Sequence, residues 1–206
     1  MRTYLIKRTQ NNDNSITDIA NELSVDYSPW EAFKNPYKTQ AYLLYDNSNI
    51  YVSMITNEKK IRIAHAKRDS EVYKDSCMEF FIQPDTDDPN YLNFEINATG
   101  ALLLGYGKDR INRKFLENEK TEQFRIKTKV DSLGWTLSFR IPFEFLKRHF
   151  DEISDTMRGN FFKCGDETVV THYGVWNEIK DKDVDFHKSQ YFGELMFEKI
   201  TNLDIN

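Results

Sequence analysis

The sequence predicts an all-β fold: an antiparallel β-sandwich, immunoglobulin-like or jelly-roll-like, with one or two short helices. Three observations predict it. Short runs rich in Phe, Tyr, Ile, Leu and Val recur along the 206 residues. Several alternate with a strict two-residue period, which puts successive side chains on opposite faces of a strand. Turn residues separate the runs, and only one stretch reads convincingly as a helix.

Residues 1–29 read as a lead-in segment packed on the domain. Ser15 and Asp18 before Ile19 and Leu23 resemble a helix cap, so one short helix is expected there. Trp30 is expected to anchor one end of the core. Gln40–Tyr45 and Ile50–Ile55 form a hairpin about Asp46-Asn47-Ser48-Asn49. Lys59–Ala66 is a third candidate strand, and Cys77–Gln83 a fourth, stopped by Pro84. In the fourth, Met78, Phe80 and Ile82 share one face and Cys77, Glu79 and Phe81 the other. Tyr91–Asn97 follows, with Phe94 and Ile96 inward and Asn93, Glu95 and Asn97 outward. Ala101–Leu104 continues it, and the polar stretch Gly107–Gln123 reads as a long loop. Phe124–Val130 alternates with Phe124, Ile126 and Val130 on one side; Trp135–Ile141 does so with Trp135, Leu137, Phe139 and Ile141 inward. Pro142 opens the helix PFEFLKRHF, since proline suits a first helical turn. Gly159–Lys163 and Tyr191–Glu198 supply the last strands.

The length fits a single domain, 1–206, able to bury a core without metal or disulfide help. A net charge of −5 argues against nucleic acid as a partner, which needs a basic surface. No apolar run approaches bilayer length, so no membrane span is expected. The opening MRTYLIKRTQNN lacks a signal-peptide core, so the expected setting is cytoplasmic, or exported with the signal already removed. Cys77 and Cys164 are read as two buried free thiols; they could pair, and their spacing carries no metal signature.

Several motifs, in order, resemble one family: Leu44–Val52 (LYDNSNIYV), Asp75–Phe81 (DSCMEFF), Asn93–Asn97 (NFEIN), Gly134–Pro142 (GWTLSFRIP) and Phe192–Phe197 (FGELMF). The pattern is similar to that of the family 9 carbohydrate-binding modules, within the DOMON-like β-sandwiches. Asn160–Glu167 and Asp185–Gly193 resemble a short stand-alone bacterial branch called family 9-like. The resemblance implies noncatalytic binding of a mono- or oligosaccharide, a sugar-chain end held between two aromatic rings. The first ring position holds Tyr73 and the second Phe186, with Trp176 in the same loop as another source of a ring. The resemblance matches Glu79 to a hydroxyl-binding Glu, and puts Glu95 where the family carries a basic residue. Asn97, on the face of Glu95, completes the expected ligand-binding set. Structural calcium also occurs in the family. The resemblance assigns no other cofactor.

The chemistry suits a sugar. A pyranose face covering on the order of 80 Å² of ring is worth about 2 kcal/mol per ring. Carboxylates and amides then orient the hydroxyls. Other classes compete. A DOMON-like haem module would draw on Met54, Met78 and His65. A small hydrolase would use the Glu79–Glu95 pair or Cys164. His172 and His187 share a region with Cys164, Asp166, Glu167 and Asp185, but at no zinc or protease spacing, and His172 is expected to hydrogen-bond at a loop base. The acidic loop Asp85–Asp88 is read as solvated, with calcium as its alternative.

Overall fold

The structure, a computed structural model, describes residues 1–10 and 15–199. Residues 11–14 of the expected lead-in lie outside the described residues. The strands are β1 Thr3–Arg8, β2 Leu23–Ser24, β3 Thr39–Tyr45, β4 Asn49–Thr56, β5 Cys77–Gln83, β6 Tyr91–Asn97 and β7 Leu102–Gly107. They continue with β8 Lys114–Phe115, β9 Lys127–Asp131, β10 Gly134–Pro142, β11 Thr156–Gly165, β12 His172–Val175 and β13 Gly193–Phe197. Two one-turn helices complete the set, α1 Ile16–Ile19 and α2 Phe143–Leu146.

The strands run in the order β8-β7-β6-β5-β11-β13-β1-β3-β4-β10-β9, with β12 on β11 and β2 on β3. This is the expected sandwich, made by curling one path onto itself. The strand that turns the corner is β1. Its Thr3–Ile6 pair in parallel with Glu194–Phe197 of β13, and its Lys7–Arg8 in parallel with Leu44–Tyr45 of β3. A strand that changes partners along its length is how two packed sheets share a corner. All the other strand pairings among the described residues are antiparallel. The segment expected as a lead-in therefore supplies an internal strand of the domain.

Between the halves lies the main core. Met78, Phe80, Ile82, Phe94 and Ile96 meet Ile50, Val52, Met54, Leu137 and Phe139 there. Phe80 and Phe161 stack with centroids 4.3 Å apart. A second apolar layer covers the outer face of β5, β6 and β11, where Cys77, Phe81, Tyr91, Phe162 and Cys164 meet Val175 of β12 and Trp30, Ile179 and Phe186 from the connections. The central strands are thus buried on both faces, and every residue of β5 and β6 is buried. Trp135 is core, as expected, and Trp30 anchors the second layer.

Local departures have local causes. Lys59–Ala66 forms no strand, because Asp75 gathers the backbone N–H groups of Ala64 and His65 while Ser76 Oγ accepts from Arg62 N. Phe124 is buried but ends a 3-10 turn; Arg125 takes φ 48°, so the strand begins only at Lys127. Val130, expected inward, is exposed. The helix at Pro142 is shorter than expected: one helical turn, continued by turns to Phe150. Ser15 precedes a single helical turn without a side-chain cap bond.

Candidate functional site

The second layer holds a cavity of about 270 Å³ on the outer side of β5 and β6. Tyr73, Glu79, Glu95, Cys164, Tyr173 and Phe186 border it, together with Arg110, Arg113, Asp166, Val184, Asp185 and His187. Three elements build it. Alternation along β5 and β6 turns Glu79 and Glu95 to this face, and register sets them directly opposite each other. A 3-10 turn, Val72–Lys74, places Tyr73 at the rim. The connection between β12 and β13 brings in Phe186 and His187.

The aromatic side is firmly backed. Phe186 stacks on Phe162 at 4.2 Å and 13°, and meets Tyr173 edge-on at 5.8 Å. Trp30 lies behind it at 5.9 Å, its Nε1 donating to Asp181 O. Tyr73 is half-buried, and its hydroxyl donates to Glu71 Oε1 at 2.9 Å. Burial pushes its phenol up to about 12, and the bond to Glu71 adds to the shift.

The polar floor holds two carboxylates at 2% exposure each. Burial, then the like charge of Glu95 across the strand pair, pushes the Glu79 carboxyl well above its ordinary range. Glu79 Oε1 accepts from Cys164 Sγ at 2.9 Å. Burial raises Glu95 to about 7, opposed by Arg113, whose guanidinium donates to Glu95 Oε1 at 3.0 Å. Asn93 Nδ2 donates to the same oxygen at 2.9 Å. The chain then runs outward. A guanidinium can only donate, so His187 Nε2 accepts from Arg113 at 2.5 Å and His187 Nδ1 carries the proton toward Tyr91 Oη at 2.8 Å. Burial and the neighbouring arginines hold His187 well below its usual range, in keeping with a neutral ring.

Four of the six residues expected in the site border the cavity: Tyr73, Glu79, Glu95 and Phe186. Two do not. Trp176 packs in the core between the sheets, edge-on to Phe161, because its ring lies over Gly193, where even a Cβ would come within 2.6 Å. Asn97 is fully buried and structural. Its Nδ2 donates to His65 O and Asp75 Oδ2, and its Oδ1 accepts from Thr99 and Ala101. Residue 95 is acidic where the resemblance calls for a base, yet Arg113 brings a guanidinium to it from the connection after β7. Arg110, Arg113 and Tyr173 went unremarked in the sequence. One mark of Arg113 was Gly107, which has room for no side chain because the Arg113 backbone lies against it at 2.5 Å.

The other singled-out groups sit elsewhere. Met54 and Met78 pack in the main core, and His65 lies in the connection after β4. His172 is buried and hydrogen-bonds Val170 O at 2.7 Å, a loop-base role. Asp85 and Asp88 cap backbone N–H groups of their own loop.

A curled β-sandwich with a ring-walled, acid-floored cavity is the architecture of a small-ligand binding module. Residues 11–197 match the model of carbohydrate-binding family 9, and the chain belongs to that family. A candidate carbohydrate-binding protein from Bacteroides uniformis superposes with TM-score 0.85 at 24% identity, over 96% of this chain and 99% of that one. A family 9 module from Caldicellulosiruptor kristjanssonii in complex with glucose gives TM-score 0.66 at 12% identity, over 98% of each chain. The same organism's module in complex with cellotriose gives 0.69 at 13%, over 100% of this chain and 98% of that one. At these identities the likeness establishes the fold. A comparison with curated proteins finds no match.

Proposed function

We propose that the chain is a noncatalytic carbohydrate-binding module that takes a single sugar or a sugar-chain end into the cavity beside Tyr73 and Phe186. The observation that carries this reading is the pairing of backed aromatic rings with two buried carboxylates around one cavity of about 270 Å³. A pyranose offers a C–H face to the rings and hydroxyls to the acids. Family membership and the sugars held by the two Caldicellulosiruptor modules support the class. Arg113 and Asn93 hold Glu95 as an oriented acceptor, and Glu79 in its protonated form donates to a hydroxyl. Nothing in this arrangement requires bond cleavage, so we read both acids as binding groups.

A broad glycan array followed by calorimetry tests the reading. Tyr73→Ala should weaken binding roughly 10- to 30-fold, the worth of about 2 kcal/mol of ring contact, while leaving the unfolding midpoint near that of the parent. An array without a single ligand for the parent protein would overturn the proposal. Turnover of model glycosides that vanishes in Glu79→Gln would instead make it an enzyme.

A further inference from the structure

Among the described residues, one group of metal-ligating side chains converges: Cys77, Glu79 and Cys164, with their donor atoms all within 4.8 Å of one another. Cys77 and Glu79 are two apart on β5 and share a face; Cys164 stands opposite Cys77 in register on β11. All three are buried, at 0%, 2% and 1% exposure. Both cysteines are free thiols.

The charge pattern around them is uneven. The buried Glu58 has Lys163 at 3.0 Å, and the buried Glu95 has Arg113 at 3.0 Å. Glu79 forms no ion pair among the described residues, and its hydrogen bond comes from a thiol, the 2.9 Å contact with Cys164. Burying a carboxylate without a cation is costly, so Glu79 is held as the neutral acid, and a metal ion is one way to supply the charge that lets it ionise. Two sulfurs and a carboxylate oxygen are the donor set of a tetrahedral site for a borderline-soft divalent ion. Metal–sulfur bonds of about 2.3 Å and metal–oxygen bonds of about 2.0–2.2 Å place such donors roughly 3.5–3.8 Å apart. The present donor atoms, all within 4.8 Å of one another and with Cys164 Sγ and Glu79 Oε1 at 2.9 Å, bracket that spacing. Glu79 and Cys164 also border the cavity, which gives an ion a way in and leaves its fourth position facing the open space.

We propose that Cys77, Glu79 and Cys164 form a three-ligand site for a zinc-class divalent ion, with the fourth position open to the cavity. On binding, two S–H bonds and the Glu79 O–H bond break, two metal–sulfur bonds and one metal–oxygen bond form, and the three protons pass to the buffer. The site shares Glu79 with the sugar reading and does not depend on it.

Cobalt(II) is the probe. The whole protein, purified with reductant and stripped with a chelator, is titrated with Co²⁺ and then Zn²⁺. One equivalent of cobalt should give a sulfur-to-cobalt charge-transfer band in the near ultraviolet, and one equivalent of zinc should abolish it. Cys77→Ala should lose most of the band, and Cys77→Ser replaces it if the alanine variant does not fold. In Glu79→Gln the band should persist with cobalt bound at least about tenfold more weakly. Zinc should raise the melting temperature of the parent and not of the cysteine variants. Absence of the band, its full retention in the cysteine variants, or a Cys77–Cys164 disulfide in protein purified without reductant would each overturn the site. A glycan array that finds no sugar leaves all of these outcomes standing.

Discussion

Two of the buried carboxylates, Glu58 and Glu79, have opposite fates. Glu58, fully buried, is satisfied on every side. Its Oε2 accepts from Lys163 Nζ at 3.0 Å and Trp135 Nε1 at 3.1 Å, and its Oε1 accepts from Ser76 Oγ at 2.9 Å. Lys163 spends its remaining donors on Cys164 O and His172 Nε2, both at 2.9 Å. An ammonium has nothing to accept with, so His172 accepts at Nε2 and donates from Nδ1 to Val170 O. Burial and the Lys163 charge hold this histidine at about 4, so it is neutral at physiological pH. Glu79, nearly as buried, faces another acid and is bonded by a thiol. The first cluster ties β11 to β10 and to the connection after β4. The second leaves polar capacity turned toward an open cavity. A buried acid matched by a cation marks architecture; one without a cation, turned to a cavity, marks a place where something else binds.

The contrast predicts opposite signs. Lys163→Met strands Glu58 without its cation and should cost about 3–5 kcal/mol, read as a lower urea midpoint. Adding Glu58→Gln should recover much of that, because replacing both partners of a buried pair is far milder than removing one. Glu79→Gln should instead gain about 1 kcal/mol while binding its ligand more weakly, the usual trade at a site. If both single variants lost stability alike, the distinction between the two clusters would collapse.

A subtler readout is pH. Glu95 rises from 4.5 to about 7 on folding, so between those values the folded chain keeps a proton that the unfolded chain releases. Stability should therefore fall as pH rises through this window, by at most about 1.4 kcal/mol per pH unit. His172, lowered from 6.5 to about 4, works the other way, since stability rises with pH between those values. Subtracting the Glu95→Gln profile from the parent removes the His172 slope, which is common to both, and leaves the titration of the coupled Glu79–Glu95 pair. A flat difference would show that Glu95 is ionised throughout.

The floor of the site was legible because it is a matter of parity. Alternation along Cys77–Gln83 put Glu79 opposite Met78, Phe80 and Ile82, and the fold keeps that division: the apolar set enters the main core and Glu79 enters the cavity. Tyr73 and Phe186 came from the family resemblance, and both border the same space. The remaining walls were not legible for a topological reason. Arg110 and Arg113 sit in the polar connection after β7, and no local pattern says that it folds back over β6. Trp176 misled because a tryptophan in a site loop has the same local sequence whichever way it points, and only Gly193, far along the chain, opens the space that takes it. The strand β1 hid in a segment read as a lead-in, since a six-residue run at the sandwich corner shows little of its pairing.

That corner strand has a kinetic consequence. The first and last of the described strands, β1 and β13, lie side by side, Thr3 beside Glu194. Their contact spans most of the polypeptide, so the loop-closure cost falls late and the sheet stays open at this seam until β13 has left the ribosome. During synthesis the edges of β1 and β11 that β13 will cover are bare. A slow, late-closing step of this kind makes the nascent chain, rather than the finished domain, the species most exposed to misassociation.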